Sequence, residues 1–230
     1  MAAHYNKGRA LHDLQRYEEA KPELETAWRL APSSSSALSL LALIERQMNN
    51  NERAIDLLQK LVAMEPKNAE AHFQLGQSYL RAGRTTDATR LWKETLEIDP
   101  EHGGALYSLL RSLDRTDPQQ AGIYKERYAA FQKKREITDR AEALSNFALA
   151  SARNRDWPQA IAQLQEALQT CRDCRSLSTL HKNLGLIYCH SGDLKSGERE
   201  LRLALELKSD DADTLKSLRI IEAVRSVQKD

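Results

Sequence analysis

The residues able to do chemistry in this chain are few, and they gather near its last third. Cys171-Arg-Asp-Cys174, with His181 seven residues later, has the spacing of a zinc ligand pair or of a reversible disulfide. A structural zinc site needs four ligands, and only two thiolates and one imidazole lie close together here. Cys189 does not complete the set, because the eight residues from His181 cover about 12 Å along a helix at 1.5 Å each. A c-type haem site would need histidine directly after the second cysteine, where Arg175 stands. Cys171 and Cys174 therefore read as turn cysteines, reduced or disulfide-bonded, with Cys171, Cys174 and His181 kept as a weak metal candidate. Cys189-His190 sets a thiol beside an imidazole, but neighbours on a helix point in different directions and no third group orients the base. His4, His12, His72 and His102 are scattered and read as surface histidines. No phosphate-binding loop, G-x-G-x-x-G or H-E-x-x-H is present. The expectation is a non-enzymatic protein with no catalytic residue and no cofactor.

The elements that carry these residues are helices. Aromatic residues make up 6% and charged residues 29%, with Ala, Leu, Glu, Lys, Arg and Gln prominent, side chains that lose little rotamer freedom in a helix. No segment shows the period-two alternation of a strand. A formal charge of +1 argues against a nucleic-acid partner, whose phosphates call for a basic excess. There is no apolar run long enough for membrane insertion and no signal-peptide pattern, and no compartment is assigned. Ala10, Leu11 and Leu14 form a helical face almost at once, which suggests a segment of a longer protein.

Self-similarity sets the architecture. Pro32, Pro66 and Pro100 recur every 34 residues, each behind a helical run that proline cannot continue. Small residues recur twelve apart: Gly8 with Ala20, Ala42 with Ala54, Gly76 with Ala88, Ala148 with Ala160, Gly185 with Gly197. Two antiparallel helices joined by a short turn would meet at such a pair. Large apolar residues flank them at helical spacing, among them Leu38, Leu41, Leu58, Leu75, Tyr79, Trp92, Leu144, Phe147, Leu164, Leu184, Tyr188 and Leu201. Leu110 stands where a small residue is expected, so a stretched helix or bend is predicted after it. Pro22 falls within a helix, where it removes a backbone bond, whereas Pro158 sits in a first turn that Asp156 can cap.

Leu75-Gly76-x-x-Tyr79, Ala88-x-x-x-Trp92 and Pro100, repeated in part as Leu184-Gly185-x-x-Tyr188 with Leu201 and Ala204, resemble the tetratricopeptide repeat pattern. The resemblance implies an all-α, right-handed superhelical solenoid of antiparallel helix pairs, about six units and a C-terminal capping helix. The expected divisions are three regular repeats over 1–102, a degenerate repeat or long helix over 103–140, two repeats over 141–211 and the capping helix over 212–230. It also implies a protein-interaction scaffold or adaptor that holds a peptide or partner helix in a groove lined by the first helix of each pair. Carried onto this sequence, the groove pattern gives Tyr5, Arg9, Arg46, Phe73, Gln77, Arg81, Tyr107, Arg111, Arg115, Arg153 and Lys182, with Glu142, Ser145, Cys189 and His190 on the same line. Aromatic and arginine side chains are common interface anchors, and arginine takes carboxylates through two parallel bonds. The partner so implied carries apolar and acidic side chains. The clamp that some members use for an acidic C-terminal tail is absent, since its places hold Tyr5, Arg9, Leu40, Glu70 and Gln74. The alternatives are a regulatory or substrate-docking segment of a larger enzyme and, against the charge, an RNA-binding helical repeat. Self-association through Leu218, Ile220, Ile221 and Val224 is a further alternative.

Overall fold

The computed structural model describes the backbone of residues 1–227 and the side chains through residue 224. Among the described residues every regular element is a helix, and none is long and apolar enough to cross a membrane. The chain forms two compact units, Met1–Phe131 and Gln132–Asp230.

Unit one is built from the pairs α1 (Ala2–Asp13) with α2 (Tyr17–Leu30), α3 (Ser35–Gln47) with α4 (Asn51–Met64), and α5 (Ala69–Arg81) with α6 (Thr85–Ile98). It closes with α7 (Gly103–Leu113) and the first part of α8 (Pro118–Arg153). Unit two contains the rest of α8, then α9 (Trp157–Thr170), α10 (Leu177–Ser191), α11 (Leu194–Leu207) and α12 (Ala212–Val227). α8 thus serves as second helix of the fourth pair and first helix of the fifth, unbroken over 36 residues. α2 also runs on through Pro22.

The small pairs lie where the helices cross. A Cβ on Gly185 would stand 3.0 Å from the Gly197 carbonyl oxygen, and one on Gly197 would stand 2.9 Å from that of Gly185. Ala42, Ala54, Ala148 and Ala160 are buried at the corresponding crossings, and Gly76 admits the fully buried Trp92 indole. The fourth pair departs from this scheme, as Leu110 implied. Gly122, twelve residues on, has open space around it, and rings fill the interface instead. Tyr107 meets Tyr128 at 5.4 Å between centroids, and Phe131 lies against Gly103.

The local signals repeat with the same period. Ser34, Asn68 and His102 each accept from the backbone N–H three residues on, at Ala37, Ala71 and Ala105, and so cap α3, α5 and α7. The turns inside the pairs pass through a left-handed residue at Gln15 (φ 59°), Asn49 (φ 63°), Gly83 (φ 77°), Arg155 (φ 60°) and Gly192 (φ 96°). The next N–H then reaches back five residues, as in Asn50 to Glu45 at 2.8 Å and Arg84 to Tyr79 at 2.9 Å, which closes the helix end.

Three expectations about packing are corrected. Leu14 is exposed, because α1 ends one residue before it. Phe147 is 62% exposed, whereas Leu41, Leu75 and Leu184 at the matching place are buried. The leading helix of a stack has no earlier pair to cover that face, and Lys7 in the first repeat is exposed for the same reason. On α12, Leu218 and Ile221 pack inward beside Leu201, and only Ile220 and Val224 of the proposed apolar edge face outward.

Candidate functional site

In unit one the first helices of successive pairs stand side by side and are tied by polar bonds. Gln77 of α5 donates to the Ser108 hydroxyl of α7 at 2.9 Å. Arg81 of α5 donates to the Arg46 carbonyl at the end of α3, at 3.3 Å. His102, which receives the Ala105 N–H on Nδ1, carries its proton on Nε2 and donates it to Glu70 at 3.2 Å. That bond holds the Glu70 carboxylate below its ordinary range. The His102 ring lies 4.7 Å from Phe73, whose ring also occupies the space that a Cβ on Gly104 would need. His102 is therefore a structural hinge-pin of this wall rather than a bare surface histidine. Its signal in the sequence is the 34-residue spacing from the caps Ser34 and Asn68.

The predicted wall residues of unit one fall into two groups. The aromatic ones are partly built in: Tyr5 lies beneath Arg9 at 6.0 Å, Phe73 lies under His102, and Tyr107 leans on Tyr128 while staying 47% exposed. The arginines are free of carboxylates. Among the described residues, Arg9, Arg46, Arg81, Arg111 and Arg115 form no ion pair; beside the second helices Arg16 and Arg84 each have one and Arg90 has two, at 2.7 to 3.9 Å, while Arg29 and Arg53 have none. Arg46 is half-buried, and burial together with the neighbouring Arg81 charge pushes its pKa down, while Glu70 acts the other way.

Unit two is arranged differently. Lys182 lies 3.3 Å from Asp211 and is no free cation, while Arg153 is exposed. Asn183 donates to the Ser145 hydroxyl at 3.1 Å, and the Ser176 hydroxyl donates to Glu142. Cys171 and Cys174 are buried and joined in a disulfide. His181 is drawn away from them, its Nδ1 lying 2.8 Å from Glu200 across to α11. The structure does not gather Cys171, Cys174 and His181, and among the described residues no group of three or more His, Cys, Asp or Glu side chains is placed to hold a metal. Cys189 presses its sulfur towards Gly197, and burial and Asp193 raise its pKa. His190 stacks instead on Trp157 at 6.0 Å, so the two form no nucleophile–base pair. An open depression of about 770 Å³ between α6 and the end of α7 is lined by threonines with Arg90 and Glu94, which bond each other at 2.7 Å.

Pairs of antiparallel helices in tandem, crossing at small residues that recur every 34 positions through the first three pairs, define a helical-repeat scaffold. The chain belongs to the tetratricopeptide repeat family. Models of that repeat match residues 2–34, 45–113 and 140–173, together more than half of the chain. No curated protein matches it by sequence. Among solved structures it is similar to the Cut9–Hcn1 hetero-tetramer of the APC/C, with a TM-score of 0.53 and 15% identity, covering 96% of this chain and 42% of that one. The chain thus spans less than half the length of that protein. Similarity to YrrB, described as a TPR protein with an unusual peptide-binding site, has a TM-score of 0.44 and 18% identity over 85% of this chain and 97% of that one. For MamA from Desulfovibrio magneticus the TM-score is 0.47 and the identity 15%, over 92% and 97% of the two chains. At these identities the likeness is one of fold.

Proposed function

We propose that this protein is a non-enzymatic adaptor that holds an extended peptide or partner helix, carrying apolar and acidic side chains, against α1, α3, α5 and α7. Scaffolding of proteins is the general role of this repeat fold; the peptide's chemistry and its place are the finer reading. The observation that carries it is that the predicted wall arginines Arg9, Arg46, Arg81, Arg111 and, just past α7, Arg115 form no ion pair among the described residues, while Phe73 and Tyr107 stay partly exposed. An arginine on a helix readily finds a carboxylate three or four residues away, as Arg90 does with Glu94. Arginines left without one keep most of their five donors available, Arg81 having spent one on the Arg46 carbonyl, and a peptide carboxylate can take two of them in parallel. In unit two Lys182 is paired with Asp211, and Arg153 is the one wall cation among the described residues without an ion pair, which favours unit one, with five such arginines, as the holding surface. Selection of random peptides on the full chain tests the reading, with a Tyr107→Ala/Arg111→Ala double variant as control. Peptides enriched on the parent and lost on the control are expected; peptides held equally by both would move the site elsewhere.

A further inference from the structure

Within that wall, Arg46 and Arg81 differ from the other free arginines. Arg46 lies at the end of α3 and is half-buried, so its guanidinium has lost part of its hydration without gaining a carboxylate. Arg81, one repeat later, reaches across and spends one N–H on the Arg46 backbone carbonyl at 3.3 Å. That bond ties the end of α5 to the end of α3, spends one of the five Arg81 donors, and leaves the two guanidinium charges near enough to act on each other. Burial first, and then the neighbouring Arg81 charge, pushes the Arg46 pKa down, and Glu70 offsets this only in part. Its carboxylate is already engaged by His102 at 3.2 Å and Gln74 at 2.8 Å. The place is short of one negative charge.

We propose that Arg46 and Arg81 together form an acceptor for a single carboxylate, an aspartate or glutamate side chain of the bound peptide, and so fix that peptide's register on α3 and α5. The inference rests on the groove reading above. It differs from the tail-binding clamp of other family members, whose places hold Leu40, Glu70 and Gln74 here. The resident Glu70 charge sets the charge of the guest. A monoanionic carboxylate balances the local excess, while a phosphomonoester, close to dianionic at neutral pH, would face Glu70 across the same pair.

The test uses peptides selected from a random display library on the full chain, with binding measured by fluorescence anisotropy. Selected peptides should share one acidic position. Changing that residue to Asn or Gln should weaken binding to the parent roughly 10-fold or more, as loss of a charge-assisted bidentate pair does. The same change should cost nothing on an Arg46→Gln/Arg81→Gln variant, and phosphoserine at that position should bind the parent more weakly than Asp. Circular dichroism of the variant separates loss of the acceptor from loss of the fold, and Arg81→Lys, which keeps the charge but not the fork, should recover only part of the affinity. Peptides bound without a fixed acid, an acid whose removal costs as much on the double variant, or tighter binding of phosphoserine would each overturn the carboxylate acceptor alone. Failure to select any peptide would overturn it together with the groove reading.

Discussion

Gly197→Ala adds one carbon at the tightest crossing in unit two. That carbon would stand 2.4 Å from the Cys189 sulfur, 2.9 Å from the Gly185 carbonyl oxygen and 3.2 Å from the Cys189 backbone nitrogen. The thiol can swing aside by a rotation of its side chain, but the two backbone atoms can yield only if α10 and α11 separate. Overpacking of this kind costs about 1–3 kcal/mol. Alanine in place of glycine inside a helix returns about 0.5–1 kcal/mol. The clash should win by about 1 kcal/mol, which for a unit of this size lowers the melting midpoint by about 4–8 °C. Gly122→Ala is the internal control: it sits within α8 with nothing inside 4 Å of its added carbon, and should gain the helix term alone. Urea titration followed by circular dichroism, with hydrogen exchange on α10 and α11 to locate the loss, gives both values. If Gly197→Ala proves as stable as Gly122→Ala, close approach at the small residues is not what holds these pairs together.

Four other outcomes follow from particular contacts. Glu45 is fully buried, with Lys21 at 3.0 Å and Asn50 at 2.8 Å, so Lys21→Met should destabilise unit one by about 2 kcal/mol, and adding Glu45→Leu should restore most of it; equal stability of parent and Lys21→Met in urea would refute the pairing. Asp193 caps α11 through Ser196, whose side chain and backbone bonds hold the carboxylate pKa below its ordinary 3.8. A depressed carboxylate stabilises the fold above its unfolded value and loses that contribution as pH falls through the folded value, so the parent should lose stability below about pH 4 more steeply than Asp193→Asn, which keeps the cap; parallel acid limbs in pH-dependent melts would contradict this. Reducing Cys171–Cys174 frees only a small loop, and chain entropy for its size predicts a loss of about 2 kcal/mol confined to unit two, readable as exchange at α9 and α10 with and without reductant. Gln15→Gly should raise stability by about 0.5–1 kcal/mol, since a side chain at φ 59° is strained and glycine is not; a lower melting point would count against the left-handed turn.

The repeat was legible because its strongest signals are steric. Prolines that stop helices and small residues at crossings follow from backbone geometry, and they recur at a spacing that no unrelated constraint would produce. The left-handed turn was hidden for the converse reason. Only Gly83 and Gly192 advertise it, while Gln15, Asn49 and Arg155 adopt the same conformation under the tertiary contacts of their pairs. Phe147 was misread because hydrophobic periodicity marks a face as apolar without saying whether a neighbouring helix exists to cover it. That Lys182 is paired could not be read either: its partner Asp211 lies 29 residues away, beyond the reach of any local pattern. The wall arginines could be enumerated from the register, but which of them lack a carboxylate depends on three-dimensional proximity.

The crossing residues and the wall residues occupy different faces of the same short helices. Gly8 and Gly76 look towards the partner helix of their own pair, and Ala42 is buried at the same place, whereas Arg81 reaches across to the neighbouring first helix at Arg46. Substitution of Arg46 or Arg81 therefore leaves the crossings largely untouched, whereas Phe73, packed on His102 and over Gly104, belongs to the wall and the frame at once. The guanidiniums are cladding on a frame that the small residues hold together without them.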